Sequence, residues 1–239
     1  MNETALAHDA KRRLYGRRRG RKLRAGRRAL METLLPLLRI ELPPAGDIDP
    51  RKLFSSPVEE AWLEIGFGGG EHLAVQAETH PATGFIGAEV FENGVAKLLA
   101  DIQNRGLANI RIFADDALLL LARFTPLSLG RVFILFPDPW PKERHKKRRI
   151  VSRETLDLLA RAMRPGAELR LATDDADYAL WMAEHLESHD GFMAHDDFKA
   201  GAQGAGAWPG RPADWHETRY EQKRVSGNAP RFFLYRRKT

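Results

Sequence analysis

One acidic residue stands between two prolines in Phe136-Pro137-Asp138-Pro139-Trp140-Pro141-Lys142, directly after the apolar stretch from Val132 to Phe136. Proline narrows φ and removes a backbone donor, so the turn holds the Asp138 carboxylate in one pose. Turns at the carboxyl ends of strands are where open α/β sheets bind ligands. Six of the eight residues from 142 to 149 are Lys or Arg: Lys142, Arg144, Lys146, Lys147, Arg148 and Arg149. A stiff acidic turn that opens into a basic ribbon suits chemistry on a polyanion.

A second group of chemical residues lies upstream. The apolar run from Ala61 leads into Glu64-Ile65-Gly66-Phe67-Gly68-Gly69-Gly70. Glycines let the backbone turn tightly and approach a ligand, and the next helix start offers free amides. A dinucleotide site wants a small residue three positions after the second glycine, where this chain has Glu71. The G-x-G-x-G spacing fits S-adenosylmethionine, which has no phosphate to cradle. Glu89, at the end of the next apolar segment, is placed to accept ribose hydroxyls. Asp115 and Asp116 follow a third segment, where a carboxylate can accept from an adenine amino group. Any one of these acids could instead cap a helix. Glu64 has two readings: a brace for the loop or the cofactor's cationic end, or a core carboxylate with a paired neighbour.

These residues need a scaffold that brings several strand ends together. Apolar segments at 61–65, 85–89, 110–114, 132–136 and 168–172 alternate with helical patterns at 71–79, 92–104, 152–163 and 176–188. A short Leu-rich helix follows the third strand. This rhythm predicts an α/β fold whose mainly parallel sheet is covered on both faces. Arg231 to Arg236 reads as a last strand, antiparallel in that reading. Upstream, Leu30, Leu34, Leu37 and Leu38 predict a helix over 29–40, stopped at Pro43-Pro44. Two domains are read: a basic extension over 1–45, disordered or partner-ordered through residue 28, and a main domain over 46–239. The Gly/Ala-rich stretch 199–212 reads as a long loop.

Net charge is +6, but the positive charge is focused. Residues 11–28 hold 11 Lys/Arg and no acid, while the chain outside 11–28 and 142–149 holds 21 basic and 31 acidic residues. Two basic runs on an acidic body point to nucleic acid. The absence of cysteine excludes disulfides, Cys-based zinc sites and thiol nucleophiles. The longest apolar run, Ala117 to Ala122, is far too short to span a bilayer, and the first residues lack a signal-peptide core. A soluble, cytoplasmic protein with no membrane partner is expected. His185 and His189 are four apart on a predicted helix, but with no third ligand in the pattern no metal is expected.

Four strings resemble the bacterial tRNA (guanine-N7)-methyltransferases: Leu63-Glu64-Ile65-Gly66-Phe67-Gly68, Phe136-Pro137-Asp138-Pro139-Trp140, Arg144-His145-Lys146-Lys147-Arg148-Arg149 and Thr218-Arg219-Tyr220-Glu221. The resemblance covers about residues 60 to 239. It implies a three-layer, Rossmann-like class I fold with a seven-stranded, mostly parallel sheet, S-adenosylmethionine as cofactor and tRNA as partner. It implies cofactor contacts at Glu64, Gly66, Glu89, Asp116 and Asp138, with Asp138 also catalytic. Substrate contacts are implied at Lys142, Asp174 and Thr218, Arg219, Tyr220 and Glu221, with RNA contacts at Arg144, His145, Lys146, Lys147, Arg148 and Arg149. Pro141, where relatives often carry a polar residue, and the long 199–212 stretch depart from the family pattern.

The chemistry fits these parts. Guanine N7 carries an in-plane lone pair, so methyl transfer to it needs no base. Positioning then does much of the work, and a carboxylate on guanine's pairing edge can supply it. Trp140 could stack on the base or pack beneath the turn. Two other readings stand beside this one. An amino-group methyltransferase would use an Asp-Pro-Pro-aromatic turn, whereas here Trp140 takes the place of the second proline. A non-catalytic RNA-binding protein would bind no S-adenosylmethionine.

Overall fold

The computed structural model describes residues 16–195, 207, 208, 215 and 228–239. After helices α1 (Ala25–Thr33) and α2 (Leu35–Leu38), strand and helix alternate: β1 Glu60–Ile65, α3 Glu71–Thr79, β2 Thr83–Ala88, α4 Glu92–Arg105, β3 Ile110–Phe113, α5 Ala117–Leu121, β4 Leu129–Leu135. A 3₁₀ segment, Glu143–Arg148, follows β4; then come α6 Arg153–Ala162, β5 Met163–Thr173, α7 Ala176–Glu187, β6 Phe192–Ala194, β7 Ala207–Trp208 and β8 Arg231–Arg237.

The strands join into one sheet in the order β3-β2-β1-β4-β5-β8-β6. β1 to β5 run parallel, while β8 is antiparallel to β5, as expected for the last strand. β6 and the two-residue β7 both pair with β8, so among the described residues the expected seven-strand path carries β7 as a short addition. The short β7 extends one edge and leaves the seven-strand path intact.

Alternation along β1 explains the three layers. Ala61, Leu63 and Ile65 pack into a core with α5, α6 and α7. Trp62 faces the opposite core, built with α3 and α4. Five of the six β1 residues are buried, four of them apolar and the fifth Glu64, as a strand covered on both faces requires. Helix starts carry their own signals: Asp116, Ser152 and Asp175 cap α5, α6 and α7 by accepting from Leu118, Thr155 and Tyr178 backbone N–H groups.

The N-terminal region departs from expectation. The helix foreseen over 29–40 is two short helices that break at Leu34, just before Pro36, which has no N–H to continue the ladder; Arg39 then turns extended and bridges Ile112 of β3. Nor is the described part of the basic run loose. Gly20 N–H donates to Asn93 Oδ1 at 2.7 Å, and Asn93 Nδ2 donates to the Arg21 carbonyl at 2.7 Å. The Arg18 carbonyl accepts from Glu92 N–H at 2.9 Å, so the arm is seated on the start of α4.

Candidate active site

In this order the chain leaves β1 toward β2 and β3 on one side, then returns to place β4 on the other. The carboxyl ends of β1 and β4 therefore flank the point where strand order reverses, the usual ligand crevice of such sheets. A cavity of about 910 Å³ opens there. Gly66 and Gly68 line it after β1, Glu89 after β2, Asp115 and Asp116 after β3, and Pro137 and Asp138 after β4. Four strand ends thus meet at one space.

The glycine turn is built for close approach. Gly66 and Gly68 have φ of 72° and 55°, and a Cβ added to either would meet nothing within 4 Å. Their bare backbone faces open space that a ligand can fill. Gly94 of α4, which sequence reasoning missed, touches the same turn: a Cβ there would lie 2.0 Å from the Gly68 carbonyl oxygen. Glu71, which stands where a dinucleotide site wants a small residue, forms an ion pair with Lys97.

Glu89 is the most heavily bonded acid of the wall. Its carboxylate accepts from Gly68 N–H at 2.7 Å, Val90 N–H at 2.8 Å and Phe91 N–H at 2.9 Å. Burial pushes its pKa above the ordinary carboxylate range; the three amides oppose that shift, and the Asp138 charge adds to it. Asp116 caps α5, its carboxylate accepting from Leu118 N–H at 3.0 Å, and the residue also lines the cavity. Asp115 accepts from Asp116 N–H at 2.9 Å and faces Arg18 at 3.6 Å. Glu64 is buried at 3 % exposure and accepts from His72 Nδ1 at 2.8 Å, on the α3 face rather than on the cavity wall.

The Asp138 turn carries strain at both ends. Phe136 and Trp140 have φ of 49° and 45°, in the left-handed region that bulky side chains avoid. Such residues cost roughly 1–3 kcal/mol each and persist only where their surroundings hold them. Phe136 N–H donates to the Ala172 carbonyl of β5 at 2.8 Å, fixing one end. At the other, Arg149 Nε donates to the Pro139 carbonyl at 2.8 Å. Trp140 lines the cavity with the Arg148 guanidinium 4.9 Å from its ring centre.

The basic ribbon divides. Lys142, Arg144 and Lys147 are exposed, while His145, Lys146 and Arg148 are half-buried. Lys146 pairs with Glu143 at 2.9 Å and Asp177 at 3.3 Å. Burial, with Arg148, Arg144 and other nearby cations, lowers the His145 pKa below its ordinary value. Arg149 differs from its neighbours: it is 2 % exposed, paired with Asp177 and packed against Tyr178 and Trp181, and it borders the cavity rather than open solvent. That placement weighs against the expected RNA contact. Lys142 and Asp174 lie outside the cavity wall; Asp175, not Asp174, caps α7, and the Asp174 carbonyl accepts from Asn228 Nδ2 at 3.2 Å. Thr218, Arg219, Tyr220 and Glu221, most of 199–212 and residues 1–15 lie outside the described residues.

His185 stacks on Trp181 at 4.2 Å while His189 meets Asp157 at 3.0 Å, so the two histidines have separate partners. Among the described residues no group of three potential ligands could hold a metal ion, and no helix is long and apolar enough to cross a membrane.

The wall suits a cationic, hydroxyl-bearing ligand: carboxylates accept hydroxyl and amino protons and offset a sulfonium, and the bare glycines leave room. Solved structures share this architecture. The 16S rRNA methyltransferase KamB aligns with a TM-score of 0.53 at 17% identity, over 76% of this chain and 89% of that one. TrmN from Thermus thermophilus aligns at 0.52 and 17% identity, over 88% of this chain and 48% of its own. Fold and site together define a class I methyltransferase, a class whose methyl donor is S-adenosylmethionine.

The model of a family described as "Putative methyltransferase" matches residues 59–232. The tRNA (guanine-N(7)-)-methyltransferase of Paramagnetospirillum magneticum is 51% identical over 95% of this chain and 93% of its own length. The protein of the same name from Rhodospirillum rubrum is 47% identical over 95% and 88%. The chain belongs to the tRNA (guanine-N(7)-)-methyltransferase family.

Proposed function

We propose that this protein transfers a methyl group from S-adenosylmethionine to N7 of a guanosine in tRNA, and that it does so in the cytoplasm. The observation that carries the reading is the opening of the glycine turn and the Asp138 turn onto one cavity from adjacent strands. The names of the relatives support both the substrate and the atom methylated.

When bound, the cofactor supplies an electrophilic methyl: the N7 lone pair forms the new N–C bond as the C–S bond breaks and sulfur keeps its electron pair. No proton has to leave N7. The protein's task is to orient the acceptor, exclude competing poses and offset the charge that develops on the purine.

Asp138 is assigned the first and last of these. Its carboxylate would accept from the ring N–H and amino group on guanine's pairing edge, and its negative charge opposes the charge growing on the ring. Preorganised positioning of this kind is worth roughly 7–11 kcal/mol in favourable cases. Glu89 and Asp116 are assigned to the ribose and adenine of the cofactor, and Gly66 to backbone approach. Glu64, paired with His72 of α3, is assigned to the cofactor by resemblance. Arg144, Lys147 and Arg148 face the RNA backbone, together with Lys142. Asp174 and the 218–221 string remain assigned to the substrate by resemblance.

Bulk tRNA incubated with labelled S-adenosylmethionine, then digested, should release labelled 7-methylguanosine. Label in an exocyclic N-methyl base would favour the amine-methylating reading. Asp138→Ala should abolish transfer with the fold retained; near-normal turnover would remove Asp138 from the mechanism.

A further inference from the structure

We propose that Arg149 sets the pose of Asp138 by fixing the Pro139 carbonyl, and so acts as a positioning residue for methyl transfer rather than as a contact to RNA. The inference rests on the catalytic assignment of Asp138.

Arg149 has the sequence context of a phosphate ligand and the surroundings of a core residue. Its guanidinium lies 4.7 Å from the ring centre of Tyr178 and 5.0 Å from that of Trp181, and Nη2 donates to Asp177. All three partners belong to α7, whose start Asp175 caps immediately beyond β5. The guanidinium plane is therefore held by a rigid element. From it, Nε reaches the Pro139 carbonyl at 2.8 Å.

That carbonyl is a sensitive place to hold. The Pro139 carbonyl carbon is one of the four atoms that define φ of Trp140, which stands at 45°. Fixing the peptide plane between Pro139 and Trp140 keeps this strained angle from relaxing, and Asp138 is the next residue back. With the Phe136 N–H held on Ala172, both ends of the turn are anchored, which fixes the backbone from which the exposed Asp138 side chain projects.

A purely stabilising role explains Arg149 poorly. Nη1 is buried and has no hydrogen-bond partner among the described residues. Its partner Asp177 is 55 % exposed, and well-packed apolar side chains often stabilise as well as an enclosed cation or better, so the placement of the guanidinium points to a gain in geometry. Lysine is no equivalent, because a point ammonium cannot hold Pro139 and Asp177 while stacking on two rings.

The test compares Arg149→Met, Arg149→Lys and Asp177→Asn with Asp138→Ala and the parent protein. It measures kcat, KM for tRNA, cofactor affinity by calorimetry, thermal midpoint and the salt dependence of tRNA binding. Arg149→Met should lower kcat by about 10- to 100-fold, as a misplacement near 1 Å can do. Cofactor affinity and the salt slope should stay near the parent values. Arg149→Lys should recover part of kcat, and Asp177→Asn should lower it in the same direction. If Arg149→Met fails to fold, the last two variants carry the test, and unchanged kcat in both overturns the proposal. A folded Arg149→Met that keeps kcat but loses salt dependence makes Arg149 an RNA contact and also overturns it. Normal turnover by Asp138→Ala would instead sink the catalytic assignment beneath it; an inactive Asp138→Ala beside a fully active Arg149→Met would sink this inference alone.

Discussion

Glu89 accepts the backbone N–H of Gly68 at 2.7 Å, tying the end of β2 to the glycine turn that follows β1. One carboxylate thus shapes the turn and faces the cavity. Its raised pKa, caused first by burial, couples both tasks to pH. As pH rises from the ordinary glutamate value through the raised one, the unfolded chain has already lost this proton while the folded chain still holds it. In that window Glu89 withdraws stability as it ionises. Cofactor binding runs the other way, because ribose and amide donors need the carboxylate. Calorimetric affinity for S-adenosylmethionine should therefore fall on the acid side at a pH above that of an ordinary glutamate, without loss of stability there. Glu89→Gln should weaken binding by roughly 10- to 100-fold, in line with hydrogen bonds to a charged group, and erase the acid limb. A parent profile flat down to the ordinary range would contradict the assignment.

Gly94→Ala should damage the cofactor site from the outside. The new methyl would stand 2.0 Å from the Gly68 carbonyl, and neither backbone can yield without moving the turn. Overpacking costs of about 1–3 kcal/mol imply weaker cofactor binding by roughly 5- to 150-fold if the strain is expressed at the turn. Equilibrium dialysis of the folded variant gives the answer. Parent-like affinity would mean that α4 shifts instead.

The basic ribbon should reveal its division in salt titrations. Arg144→Gln and Lys147→Gln remove exposed cations, and each should lower the slope of log affinity for tRNA against log salt by about 0.7–0.9. Filter binding between about 50 and 200 mM salt would resolve this. Slopes that do not change would place RNA docking elsewhere on the molecule.

Glu64→Gln separates bracing from direct contact. The variant keeps the side-chain shape but removes the charge that accepts from His72. A buried hydrogen bond to a charged group is worth about 1.5–3 kcal/mol, so the thermal midpoint should drop by several degrees. Cofactor affinity should fall less than in Glu89→Gln. A larger loss of affinity than of stability would make Glu64 a ligand of the cofactor.

What could be seen in advance followed the range of the interactions. β1 and β4 are mainly apolar runs ended by glycines and by prolines, and both signals are local. Antiparallel β8 was readable for the same reason, whereas β6, three residues long, was too short for any pattern to announce. The inward turn of Arg149 could not be read, because Tyr178 and Trp181 lie on a distant helix and nothing local separates it from Arg148. Arginine-rich residues 16–24 looked unanchored because their partners, Glu92 and Asn93, begin α4 far along the chain. Glu64 was left with two readings, and its partner His72, brought beneath it by a strand-to-helix turn, could not be read from the strand itself.

β1 and β4 pair directly, with Ile65 beside Ile134. The span from the methyl-donor side to the acceptor side is thereby measured in hydrogen-bonded backbone, at the roughly 4.8 Å spacing of neighbouring strands. A ruler of that kind is indifferent to the side chains and peripheral insertions around it. Surface segments can therefore drift in length and sequence, retuning which RNA is captured, while the gap that the methyl group must cross stays the same.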